Sequence, residues 1–234
     1  MLAACGLDGS LKVWQMSDLK EVTIDDGAAV PYHCLSWSPD GHYIFVGTDT
    51  GELRVWKDFA LQPPLCRQDH AIQCVAVSAD SKFVVTGQAA NSKLATAHTT
   101  MPQVQIWDIA AGTMKASFTN DGAVNAVGIS QAAESDLITA AGGASNDISF
   151  WRPGTGASEI KRGFGVGCVG SNIRWSSDLS ADQSAHIPSK LRLRWTCTRS
   201  NPDGSTESSD LVYDCSTGTI RPPNRNREQR GIAR

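Results

Sequence analysis

Apolar positions along this chain alternate with polar ones or come in runs of three or four, and Gly, Asp, Ser and Pro punctuate them. No stretch shows a strong amphipathic helical period, so the pattern predicts short strands joined by tight turns. Leu2–Gly6 reads as a strand, Asp8-Gly9 as a hairpin turn and Leu11–Trp14 as the return strand. An Asp-Gly pair between alternating segments is a strong short-range hairpin signal. Lys20–Ile24 reads as an outer strand. Next come Tyr32–Ser38, a Pro39-Asp40-Gly41 turn, Tyr43–Val46, a turn at Asp49–Gly51, and Leu53–Trp56. That unit is strand, turn, strand, turn, then a strand ending in tryptophan.

The unit returns. Ile72–Ser78, a turn at Ala79–Lys82, Phe83–Thr86 and Val104–Trp107 form one copy. Val124–Ser130, Leu137–Ala140 and Ile148–Trp151 form another. A degraded copy starts at Asn172–Ser176, has its middle strand expected near Ser184–Ile187, and closes at Leu191–Trp195. A last fragment, Asp210–Thr219, echoes Val104–Thr113, with Tyr213 in the place of Trp107. The closing tryptophans Trp14, Trp56, Trp107, Trp151 and Trp195 recur every 42 to 51 residues. That period, closed by a strand and a tryptophan, marks one propeller blade. Bulk on both faces of a strand suits blades stacked face to face. The expectation is an all-β propeller of about five recognisable blades, incomplete or degenerate. It divides as 1–195 propeller, 196–220 degenerate blade remnant, and 221–234 basic disordered tail. The chain begins in mid-blade, which suggests a piece of a longer propeller; a degenerate ring of five to six blades stays open beside it.

These residues resemble the WD-repeat family of β-propellers. Trp107-Asp108 is the one literal Trp-Asp pair. The resemblance implies that Asp8 and Asp49, in the turns before closing strands, are structural aspartates that bond a histidine near the start of a repeat. His70 and His33 match that slot. Within the family, Thr86-Gly87-Gln88, the polar insertion Ala89–Gln103 and Val104–Asp108 look like the echinoderm microtubule-associated protein-like family and WD-repeat proteins of cilia and flagella. That narrower resemblance implies a tubulin or axonemal partner and a cytoskeletal or ciliary location.

Charge changes the picture only by exclusion. The formal net charge is −3, which provides no basic field for nucleic acid or an anionic membrane. No run of about 18 apolar residues predicts a membrane span. The N-terminus does not read as a signal peptide. Seven cysteines at irregular spacing, with no Cys-x-x-Cys and no Asn-x-Ser/Thr, point to a reducing, cytoplasmic setting.

Candidate chemistry is sparse. Gly165–Gly170 matches G-x-G-x-x-G, but the stretch after it reads as strand, where a dinucleotide site needs a helix; a flexible loop over Gly163–Gly170 is the better account. No phosphate loop, zinc spacing or nucleophile elbow occurs. Asp25-Asp26 with Asp121 read as acidic loops. No catalytic residue, cofactor or metal is expected. The expected function is a non-catalytic protein-interaction scaffold. Its contacts would lie on the loops before the inner strands (Ala28–Tyr32, Gln68–Ala71 and Asn120–Ala123), with Tyr32, Asp69 and Asp121 as candidates. Arg225 and Arg227 of the arginine-rich tail are candidates for an acidic surface. The rival readings are the regulatory propeller of a larger enzyme whose catalytic domain is missing here, and a truncated non-functional fragment.

Overall fold

A computed structural model describes residues 1–24, 27, 29–89, 101, 103–120, 122–129, 139–143, 147–152, 157–162, 168–177, 191–200, 206–214 and 219–221. Every regular element among them is a strand, and the strands form five antiparallel sheets in chain order. The first holds β1 (Leu2–Cys5), β2 (Leu11–Trp14) and β3 (Glu21–Ile24). The second holds β4 (Tyr32–Trp37), β5 (Tyr43–Thr48), β6 (Glu52–Lys57) and β7 (Ala60–Arg67). The third holds β8 (Ile72–Val77), β9 (Phe83–Gln88), β10 (Gln103–Asp108) and β11 (Thr113–Thr119). The fourth holds β12 (Val124–Ile129), β13 (Thr139–Gly143), β14 (Asp147–Arg152) and β15 (Ala157–Arg162). The fifth holds β16 (Cys168–Ser177), β17 (Leu191–Ser200), β18 (Thr206–Asp214) and β19 (Thr219–Arg221). Each is a meander in which a strand pairs only with its chain neighbours.

Alternation explains how the sheets stack. In β5, Ile44 and Val46 enter a core shared with Leu11, Val13 and Ile24 of the first sheet, whereas Phe45 enters a core shared with Ile72 and Val84 of the third. In β9, Val84 turns back toward the second sheet, while Phe83 and Val85 face Val124, Val127 and Ile129 of the fourth. Successive side chains of a strand point to opposite faces, and here both faces are covered, so the run is apolar throughout. The first strands carry the contact from sheet to sheet: β1 lies against β4, β4 against β8, β8 against β12, and β12 against β16. Thiols assist on this inner rim. Cys34 Sγ donates to Ile72 O at 3.5 Å, and Cys74 Sγ donates to Val124 O at 3.3 Å, each reaching the next sheet. This is the stacking of propeller blades.

The closing tryptophans mark the third strand of a blade. Trp56 pairs with Ile44, Trp107 with Val84 and Trp151 with Thr139, each one residue before its strand ends. In the fifth sheet that register position belongs to Tyr213, which pairs with Leu193 and Ile220. Trp195 lies instead on the second strand, opposite Leu211. The middle strand is therefore Leu191–Ser200 and not 184–187, which lie outside the described residues. The boundary drawn at residue 195 falls inside β17, and β18 and β19 belong to the same sheet. Cys168–Gly170, read as loop, begin strand β16. A second strand that carries a tryptophan after an alternating Leu-Arg-Leu-Arg run reads in the sequence as a closing strand, which disguises this blade. Residues 222–234 lie outside the described residues.

Candidate functional site

One end of the stack is built from the loops before first strands and the turns between second and third strands. The turn between β5 and β6 sets its geometry. Gly51 has φ +78, and a Cβ there would lie 2.2 Å from Gln68 O. Its carbonyl accepts the Gln68 N–H at 2.8 Å. The turn is thereby locked to the loop that leads into β8. Thr48 Oγ1 accepts the Glu52 N–H at 2.9 Å and donates to Glu52 O at 3.0 Å, which closes the turn from inside.

Beside it sits an ion cluster. Glu52 is buried, and its carboxylate meets Arg54 Nε at 3.4 Å and the Arg67 guanidinium. Two cations on one buried carboxylate offset its loss of hydration. Arg54 also lies over the Tyr32 ring, 5.9 Å from its centroid, and Arg54 Nη1 donates to Tyr32 Oη at 3.3 Å. Tyr32 in turn packs edge-on against Trp56. Val30, Thr50, Glu52, Arg54, Arg67, Gln68 and Asp69 line a cleft of about 580 Å³ here.

A second, smaller cavity of about 100 Å³ shares Arg67, Gln68 and Asp69 with that cleft, and adds His70, Gln88, Met101, Gln103 and Gln105. A relay of carboxamides forms its wall. The backbone N–H of Gln103 donates to Gln88 Oε1 at 2.9 Å, and Gln88 Nε2 donates to Gln68 Oε1 at 2.9 Å. Gln68 Nε2 donates to Thr86 Oγ1 at 2.7 Å, and Thr86 Oγ1 donates to Gln105 O at 3.5 Å. A backbone donor starts this relay and a backbone carbonyl ends it, so every amide in it has one possible sense. Gln68, Gln88 and Thr86 are all buried. Satisfied polar networks of this kind rigidify what they cross. Gln105 Nε2 donates to Gln103 Oε1 at 2.8 Å, while its own Oε1 is buried and accepts no hydrogen bond among the described residues.

The residues singled out by sequence scatter around this site. Asp69 is exposed on the lip of both cavities, and His70 is buried just behind it. Tyr32 is only 2% exposed, so it supports Arg54 and offers no face to a partner. Asp49 Oδ1 meets His33 Nε2 at 3.0 Å. Among the described residues Asp8 bonds no histidine: its Oδ1 accepts the Ser10 hydroxyl at 2.7 Å and the Ser10 N–H at 3.1 Å, and these bonds hold its carboxyl below the usual carboxylate range. Trp56 is fully buried, Trp14 and Trp107 are partly buried, and Trp151 is buried and stacks on Phe118 with centroids 5.1 Å apart. Asp108 caps its own turn, accepting the Ala111 N–H at 2.9 Å. Asp121, Arg225 and Arg227 lie outside the described residues, as do 25–26 and 90–100. Glu52, Arg54, Arg67 and Gln105 went unremarked in the sequence, and Gln68, Gln88 and Gln103 were read only as parts of a loop, a repeat motif and an insertion. The signal for the glutamines was available: Gln103 and Gln105 alternate on a strand that the period-two pattern already buries.

The matched family falls on this region. The family description "WD domain, G-beta repeat" matches residues 24–57. That stretch is a WD repeat. It starts on the last residue of β3 and ends on the last of β6, so it covers the first three strands of the second sheet. No curated protein gave a match to the chain. No helix among the described residues is long and apolar enough to cross a membrane.

Proposed function

We propose that this chain is a non-catalytic scaffold that docks a partner protein on the face holding the cleft. WD repeats generally mediate protein–protein interaction, and the character of the cleft supports that use. Small-molecule pockets are lined mostly by apolar and aromatic groups. This one offers Val30 alone against Thr50, Glu52, Arg54, Arg67, Gln68 and Asp69. Charged and amide groups on a rigid frame recognise polar protein segments without a large ordering cost. The single observation that carries the reading is that polar lining, backed by a relay that fixes it.

Peptide-library selection with the full chain tests it. Selected peptides should lose binding at least tenfold on Arg67→Ala, yet bind normally to Asp58→Ala at the opposite end. Equal loss in both variants, or in neither, rejects docking at this face.

A narrower partner class, tubulin or an axonemal component, rests on the resemblance of Thr86-Gly87-Gln88 and its insertion alone. A cytoplasmic, cytoskeletal location goes with it. Co-sedimentation with microtubules at two salt concentrations decides the matter. Pelleting that weakens with salt supports it, and no pelleting at low salt removes tubulin while leaving the docking face untouched.

A further inference from the structure

The first sheet has three strands among the described residues where each of the others has four, and register shows which place is open. Leu2 pairs with Trp14 and Cys5 with Leu11, as Ile44 pairs with Trp56 and Gly47 with Leu53 in the second sheet. Strand β1 therefore stands in the place of β5, and no described strand stands in the place of β4. Leu2 is 54% exposed against 2% for Ile44, and Ala4 is exposed where Val46 is buried.

We propose that the free edge of β1 receives an extended segment of a partner, which completes the first sheet as an antiparallel inner strand. An unpaired edge is a row of main-chain donors and acceptors, and addition of a strand to it is a recurring mode of peptide recognition. The molecule shows four times what such an edge takes: β4, β8, β12 and β16 each pair antiparallel with the second strand of their sheet. The segment also has a second support. Inner strands lean on one another, as β4 does on β8, and β4 would take that part here.

The slot specifies what enters it. Cys34, Leu35 and Trp37 lie opposite Gly47, Val46 and Ile44, so their counterparts in the segment would lie opposite Cys5, Ala4 and Leu2. Apolar residues in the last two places would cover Ala4 and Leu2, because cross-strand neighbours share a face. The first place needs a small residue. Cys34 and Cys74 fit only because glycine faces them: a Cβ at Gly47 or Gly87 would lie 2.6 Å from the thiol sulfur. Strand β1 carries Cys5 at that position, so the residue opposite it is one without a γ atom. The segment thus reads small, apolar, any, apolar.

The test adds to the ¹⁵N-labelled full chain, in reducing buffer, a capped peptide with the sequence of residues 30–38 and Cys34→Gly. The expected result is saturable movement of the backbone amide signals of Leu2–Cys5 and of β4, with β10 and β11 unmoved, and no response to a scrambled peptide. N-methylation of alternate peptide amides should abolish binding in one set and change it less than about twofold in the other, since only one set faces β1. The peptide that keeps Cys34 should bind about tenfold more weakly through overpacking, and Cys5→Gly in the chain should remove that difference. Arg67→Ala, which removes docking at the cleft, should leave this peptide's affinity unchanged. Unmoved β1 signals, equal binding of the scrambled peptide, loss with both methylated sets or with neither, or an unchanged glycine preference in Cys5→Gly would overturn the proposal. A free chain that sediments as a dimer with its β1 amides already protected from exchange would also overturn it, because a second copy would then hold the edge.

Discussion

Gly51 concentrates the local constraints of the candidate site. Its φ of +78 is left-handed, and its missing side chain lets Gln68 O approach. A left-handed alanine costs about 1–2 kcal/mol by itself, and the clash at 2.2 Å cannot relax without moving Gln68, which anchors the relay. Gly51→Ala should lower the melting temperature by about 5–10 °C, read by circular dichroism. Gly112 also has positive φ, +64, with nothing within 4 Å of a Cβ. Gly112→Ala should therefore carry the backbone cost alone, with a shift no more than half as large. Equal shifts would show that the approach of Gln68 is not what Gly51 serves. The turn itself was legible, because Asp, Thr and Gly in sequence are turn residues. The reason for glycine was not, because Gln68 is 17 positions further along the chain.

Among the elements, two turns at the opposite end of the second blade are clipped by a titratable pair. His42, after β4, meets Asp58, after β6, at 2.8 Å through Nδ1 and Oδ1. Hydrogen bonding and charge from Asp58 raise the His42 pKa, with Asp40 adding to the rise and Lys57 opposing it. The sign follows. The charged pair contributes fully below the ordinary histidine value of about 6.5 and is lost as pH rises through the raised one. An NMR titration should find His42 above the ordinary value, and Asp58→Asn should bring it back down; an unmoved titration breaks the clip. Asp40 works the other way. The Ser38 hydroxyl and the His42 N–H hold its carboxyl low, so its contribution is present above about 3.9 and fades as pH falls through the depressed value. Strand β7 shows why outer strands were harder to read than inner ones. Pro63 and Pro64 interrupt its pattern, yet the register skips from Cys66 opposite Leu53 to Gln62 opposite Val55. The prolines sit in that irregularity on an edge strand, where no ladder N–H is required.

In the whole molecule, each sheet touches chiefly the sheets before and after it, so stability should spread to near neighbours, as in other repeat arrays. Ile72 is fully buried between the second and third sheets, and Ile72→Ala costs about 2–5 kcal/mol. Hydrogen exchange followed by mass spectrometry should then quicken in β4–β7 and β8–β11 and stay unchanged in β12–β15. A uniform rise across all sheets would mean that the stack opens as one unit. The alternation of side chains, the turn residues and the recurring tryptophans were enough to specify strands, hairpins and a stack of blades, because each of those depends on residues a few positions apart. That the strands of Trp195 and Tyr213 share one sheet, and that Gln68 joins Gln88, were decided only by tertiary structure. Hydrogen-bond register and contacts between sheets link residues twenty or more positions apart, and no local pattern of polarity encodes which of them will meet.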